Sequence, residues 1–233
     1  MSRVLFVISM LAAAARAETV RFDLSAVAEK DVIYERGLAS SAEPAGENPK
    51  GTQAFVEQGM MDADGLPAAG KISSPAGFGD YALLSYKGKN AIELPSHADA
   101  PAESHAVDVP DAKYSRIGVL GAAVDGDCSF TIKLVYLDGS ETVGWWETED
   151  WYQPQLNRGN CVPAAANMDR MNTETRELDD ANHYQLYEFI VADVDPAKTL
   201  AQIVIGNDPH RFDASKESWG LVFAINGEMA PGQ

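Results

Sequence analysis

The stretch SFTIKLVYLDGSETVGWW, residues 129–146, decides the fold. Phe130, Ile132, Leu134 and Tyr136 alternate with Thr131, Lys133 and Val135. Successive side chains of a strand point to opposite sides, so this run has one apolar face and one mixed face. Asp138-Gly139-Ser140 interrupts it and Thr142 to Trp146 resumes it. Asp-Gly between two such runs signals a hairpin, because both residues accept the positive φ of a tight turn. In the second strand Trp145 and Trp146 are adjacent, so one of them faces inward in either register.

Outward from this hairpin the same pattern recurs. Val20, Phe22 and Leu24 alternate with polar neighbours, and Tyr114 leads into Ile117, Val119 and Leu120. The runs Leu186 to Val194, Leu200 to Ile205 and Trp219 to Ile225 are short, β-branched or aromatic, and bounded by Asp, Pro, Gly or Asn. No long stretch repeats at helical period. The prediction is an all-β, antiparallel sandwich of jelly-roll type. Irregular stretches are expected at 37–53, 62–80, 95–104 and 153–182, with a tight connector at Asp195–Lys198 and a short helix over 163–172. No repeat or linker divides the chain, so residues 18–233 are expected to form a single β-sandwich domain.

Residues 1–17 have the three parts of a cleavable signal peptide: Arg3, an apolar run from Val4 to Ala15, and Ala15-Arg16-Ala17 before Glu18. A run of about 12 apolar residues is too short for a bilayer core, which needs about 20, and no later window is apolar enough to span. The expected location is therefore secreted or periplasmic, with no transmembrane segment after signal removal. The whole chain has 18 basic and 35 acidic residues. Without Arg3 and Arg16 the formal charge is −19 (16 basic, 35 acidic). That balance excludes nucleic acid as a partner, since phosphate binding needs clustered Lys and Arg. In an oxidising compartment the two cysteines, Cys128 and Cys161, read as a disulfide.

The order Asp108-Val109-Pro110, Lys113-Tyr114-Ser115, Leu120-Gly121-Ala122, Tyr136-Leu137-Asp138-Gly139, Asp150-Trp151, Leu186-Tyr187, Asp195 to Leu200 and Val222-Phe223-Ala224-Ile225 resembles the galactose-binding-like β-sandwich modules of exported bacterial proteins. Such carbohydrate-binding-module-like domains often accompany glycan-degrading enzymes, and the resemblance covers nearly all of the chain after the signal. It implies packing roles for Tyr136, Trp151, Leu186, Tyr187, Val222 and Phe223. It also makes a structural Ca²⁺ in an end loop an expectation.

The most distinctive cluster for ligand chemistry is Trp145, Trp146, Trp151 and Tyr152, with Glu147, Glu149 and Asp150 among them. Aromatic faces stack on the apolar faces of sugar rings while carboxylates accept hydrogen bonds from hydroxyls. Trp145, Trp146, Glu149 and Tyr152 are the expected ligand contacts, and carbohydrate or a cell-surface component the expected partner. The acidic turn Asp125-Gly126-Asp127 is the expected place for Ca²⁺, through Asp125 and Asp127; no other cofactor is expected. No nucleophile elbow, zinc-protease helix, phosphate loop or dinucleotide fingerprint occurs, and the four histidines are scattered without ligand spacing, so no catalytic residue is named. Two alternatives remain. One is a β-jelly-roll polysaccharide lyase, which Arg176-Glu177-Leu178 and Gln202-Ile203-Val204 faintly suggest but a −19 chain facing polyanions opposes. The other is a protein-binding matrix or adhesion module.

Overall fold

The 129–146 hairpin forms as its alternation requires. In the computed structural model, which describes residues 18–36, 42–45, 52–96, 100–152, 161–207 and 218–232, Gly139 has φ 80° and turns one strand onto the next. The expected signal segment, residues 1–17, lies outside the described residues. The strands are β1 (Thr19–Phe22), β2 (Ile33–Tyr34), β3 (Gln53–Val56), β4 (Lys71–Ser73), β5 (Asp80–Ala82), β6 (Ile92–Pro95) and β7 (Ser104–Ala112). There follow β8 (Tyr114–Val124), β9 (Cys128–Tyr136), β10 (Glu141–Thr148), β11 (Val162–Asn172), β12 (Leu178–Val191), β13 (Leu200–Asn207) and β14 (Trp219–Met229). The chain is all-β, without an α-helix among the described residues.

A four-stranded sheet, ordered β10-β9-β13-β7, faces an eight-stranded sheet ordered β1-β14-β8-β12-β11-β3-β2, with β6 also paired to β14. Pairing is antiparallel except between the short β2 and β3. Between the sheets lie Phe130, Ile132, Leu134 and Trp146 from the hairpin, Ile203 and Ile205 from β13, and Val119, Phe189, Val222 and Ile225 from the larger sheet. The fit needs two glycines. A Cβ on Gly121 would meet the Trp146 indole and the Leu221 carbonyl, and one on Gly220 would meet the Phe130 ring.

The larger sheet is also covered on its far side. Leu120, Ala122, Leu221, Phe223, Leu186 and Tyr184 pack there against Tyr81, Ile72, Leu66, Phe55 and Trp151. Being covered on both sides, β8 and β14 read as nearly continuous apolar runs instead of alternating ones. The β4-β5 hairpin is pinned by the buried carboxylate of Glu188, which accepts hydrogen bonds from the Tyr81 hydroxyl at 2.7 Å, the Ala76 N–H at 2.9 Å and the Ser74 hydroxyl.

Three expectations are corrected. The stretch 163–172, read as a short helix within a long loop, is most of β11, which pairs with β12 and β3. It is Ala-rich and carries a proline, and its pairing with β12 is interrupted by three register shifts, so neighbours on both sides impose a conformation the local sequence does not prefer. The stretch 62–80 likewise contains β4. Cys128 and Cys161 are free thiols. Thr148, not Cys161, lies opposite Cys128 in the ladder. The Cys128 thiol points to the Gly126 carbonyl at 3.9 Å and that of Cys161 to the Thr148 hydroxyl at 4.0 Å. Burial pushes Cys128 up to about 12 and also raises Cys161, so both thiols stay protonated at neutral pH.

Candidate functional site

Alternation along β10 decides which tryptophan meets solvent. Trp146 is 0% exposed, stacking on Phe189 at 6.0 Å and lying 5.1 Å from Phe130. Trp145 is 43% exposed. Glu149 is buried at 7% exposure, and its carbonyl accepts the Ala123 N–H at 3.2 Å. The expectation of Trp146 and Glu149 as surface contacts is thus corrected: the first belongs to the sheet interior and the second to the junction of β10 with β8.

Trp145 stands on the outer face of the four-stranded sheet. The registers place Trp145, Thr131, Gly206 and Ser104 in one row across β10, β9, β13 and β7. Val143, Lys133, Val204 and Ala106 form the next row, and Glu141, Val135, Gln202 and Asp108 the third. Side chains on this face bond to one another: Gln202 Nε2 donates to Asp108 Oδ1 at 2.9 Å and Lys133 Nζ to Glu141 Oε1 at 3.3 Å. The result is an outer sheet face with one exposed indole, a neighbouring valine and a fringe of polar groups.

Tyr152, 49% exposed, belongs elsewhere. It bridges to Tyr184 of β12 in the larger sheet and meets the His183 ring edge-on at 5.7 Å. The structure therefore does not bring Trp145 and Tyr152 onto one strand ladder. Close to Tyr152 lies an acidic knot. Asp127 Oδ1 accepts the Asp150 N–H at 3.0 Å, and Asp150 Oδ1 accepts the Tyr152 N–H at 2.8 Å. Burial, with Asp125 and Asp127 nearby, pushes Asp150 up to about 6, and burial also raises Asp125 against the pull of Arg170. The expected calcium pair, Asp125 and Asp127, thus shares its surroundings with a third carboxylate.

A different group has ligand atoms closer together. Glu29, Glu103 and His105 place one carboxylate oxygen each and an imidazole nitrogen within 4.8 Å of one another, the one such trio among the described residues. Sequence reading missed it because the histidines were judged by their spacing from one another. The available signal was Glu103-Ser104-His105 where the chain enters β7: Glu103 and His105 are two apart, and strand geometry gives such residues a common side. Of the two stretches that faintly suggest a lyase, Arg176 is in the β11-β12 turn of the larger sheet and Gln202 is on β13 of the smaller.

No family model and no curated protein sequence matches the chain. Among solved structures, that of TmCBM61 in complex with beta-1,4-galactotriose is similar over 63% of this chain and 74% of that chain, at 13% sequence identity and a TM-score of 0.31.

Proposed function

We propose that the chain is an exported, non-catalytic binding module that takes carbohydrate on the outer face of its four-stranded sheet. The observation that carries this reading is Trp145, an indole 43% exposed on a paired strand, beside Thr131 and Gly206 and one row from Lys133. A flat aromatic face covers the C–H face of a sugar ring, and the flanking hydroxyl, ammonium and amide groups exchange hydrogen bonds with ring hydroxyls. Because the strand is held by its neighbour, little ordering is needed on binding. Export rests on residues 1–17, and the −19 charge that follows removal of Arg3 and Arg16 favours neutral over polyanionic glycans.

The test is retention on a panel of immobilised neutral polysaccharides. Trp145→Ala is expected to abolish retention while leaving the melting temperature unchanged. Undiminished retention would remove the site from this face, and loss with Tyr152→Ala instead would move it to the Tyr152–His183 surface. Binding of a protein partner with no glycan retained would favour the adhesion reading.

A further inference from the structure

We propose that Glu29, Glu103 and His105 form a divalent transition-metal site of the zinc type, opening onto a groove beside the β6-β14 edge. The proposal is independent of the carbohydrate reading and uses none of its residues. His105 Nε2 lies 3.3 Å from Glu29 Oε1 and 3.5 Å from Glu103 Oε1. With zinc bonds of about 2.0–2.1 Å to nitrogen and oxygen, neighbouring ligand atoms of a tetrahedron stand roughly 3.3–3.5 Å apart. The two separations from His105 Nε2 are those a metal would require, and all three ligand atoms lie within 4.8 Å of one another.

Apart from these two carboxylates, the nitrogen has no hydrogen-bond partner. His105 is a half-buried side chain, 14% exposed, and its Nε2 is shielded from solvent yet makes no hydrogen bond of acceptable geometry. Such a polar atom is costly to leave unsatisfied. Glu188 is the contrast within the same molecule: its buried carboxylate already accepts from three donors. At the trio, two carboxylates and a neutral imidazole offer a formal charge of −2, which a divalent cation neutralises.

The surroundings hold the ligands in place. Glu29 Oε1 accepts the Glu93 N–H at 3.2 Å. Asn207 clamps the segment before β7: its Oδ1 accepts the Glu103 N–H at 3.0 Å, its own N–H donates to the Glu103 carbonyl at 3.1 Å, and its Nδ2 donates to the Pro101 carbonyl at 2.7 Å. Lys30, the nearby cation, pairs with Glu93 at 3.2 Å. Glu29 and Glu103 also line a groove of about 520 Å³ with Lys30, Pro95, Pro101 and Trp219. With two of the three protein ligands, Glu29 and Glu103, lining this space, the fourth position of a tetrahedral zinc is left to water or a small ligand, as at open zinc sites. Carboxylate and imidazole together suit zinc or a similar first-row ion better than calcium, which takes oxygen alone.

The purified protein, stripped with chelator and dialysed against zinc, is expected to retain one zinc per chain by elemental analysis. Glu103→Gln and His105→Gln should each weaken zinc binding about 100-fold or more, and Asn207→Ala, which only positions Glu103, about 10-fold. Cobalt in place of zinc should give the visible bands of a low-symmetry site, lost in His105→Gln. Melting without metal reports whether each variant is folded; if His105→Gln is not, Glu29→Gln and Glu103→Gln decide. No retained zinc, or zinc held by these variants as tightly as by the wild type, overturns the proposal.

Discussion

The inner and outer faces of the four-stranded sheet come from the same four strands, yet they obey different physics. On the inner face Trp146, Phe130, Ile132 and Ile205 close against the larger sheet, and even its glycines are shaped to them. On the outer face Trp145, Val143 and Lys133 meet solvent. Adjacent tryptophans therefore have opposite surroundings, Trp146 the sheet interior and Trp145 solvent, and only Trp145 is placed to serve the recognition proposed above. Residue type alone does not assign function on a strand; the side it faces does.

The comparison is broken most easily at Trp146. Trp146→Ala removes a fully buried indole from between Phe130 and Phe189, and losses of this kind cost about 3–5 kcal/mol. Urea unfolding should show the midpoint falling accordingly. A loss below about 1 kcal/mol would mean that the two faces are not so distinct.

A second, smaller effect belongs to the place where β10 leaves the sheet. Asp150 is raised by burial to about 6. Because the folded protein then holds this proton more tightly than the unfolded chain does, the contribution of Asp150 is fully present below about pH 4 and is lost as pH rises through 6. A shift of that size corresponds to at most about 3 kcal/mol. Asp150→Asn keeps an oxygen for the Tyr152 N–H and should be more stable than the wild type at pH 7.5 but not at pH 4, both measured in chelator. Equal stability at both values would show that solvent already relieves the charge. Repeated with calcium, the same pair tests the expectation at Asp125 and Asp127: an ion bound there raises the wild-type melting point.

Much of this division was legible in the sequence. Residues 129–146 specified a hairpin with an apolar side, and Tyr136, Trp151, Leu186, Tyr187, Val222 and Phe223 are buried as the resemblance implied. Three things were not legible. Register, which sends Trp146 inward and Trp145 outward, depends on pairing with β9 and not on either residue. β11 lacks β-branched runs and exists because β3 and β12 flank it. Glu103 and His105 share strand spacing, but Glu29, the third member of the trio, comes from a segment distant in the chain, which no local spacing announces.

The smallest expected effect on stability is the most informative about the outer face. Trp145→Ala removes an indole that already meets water, and surface substitutions of this kind change stability by no more than about 0.5 kcal/mol. Val143 and Trp145 have Lys133 and Thr131 opposite them on β9, and that ladder is held by backbone bonds the substitution leaves intact. If the outer face is only a solvated surface, neither stability nor glycan retention should move. If it recognises a ligand, retention disappears while the urea midpoint stays where it was. A fall in the midpoint comparable to that of Trp146→Ala would instead mean that Trp145 is a packing residue, and the contrast between the two faces would collapse.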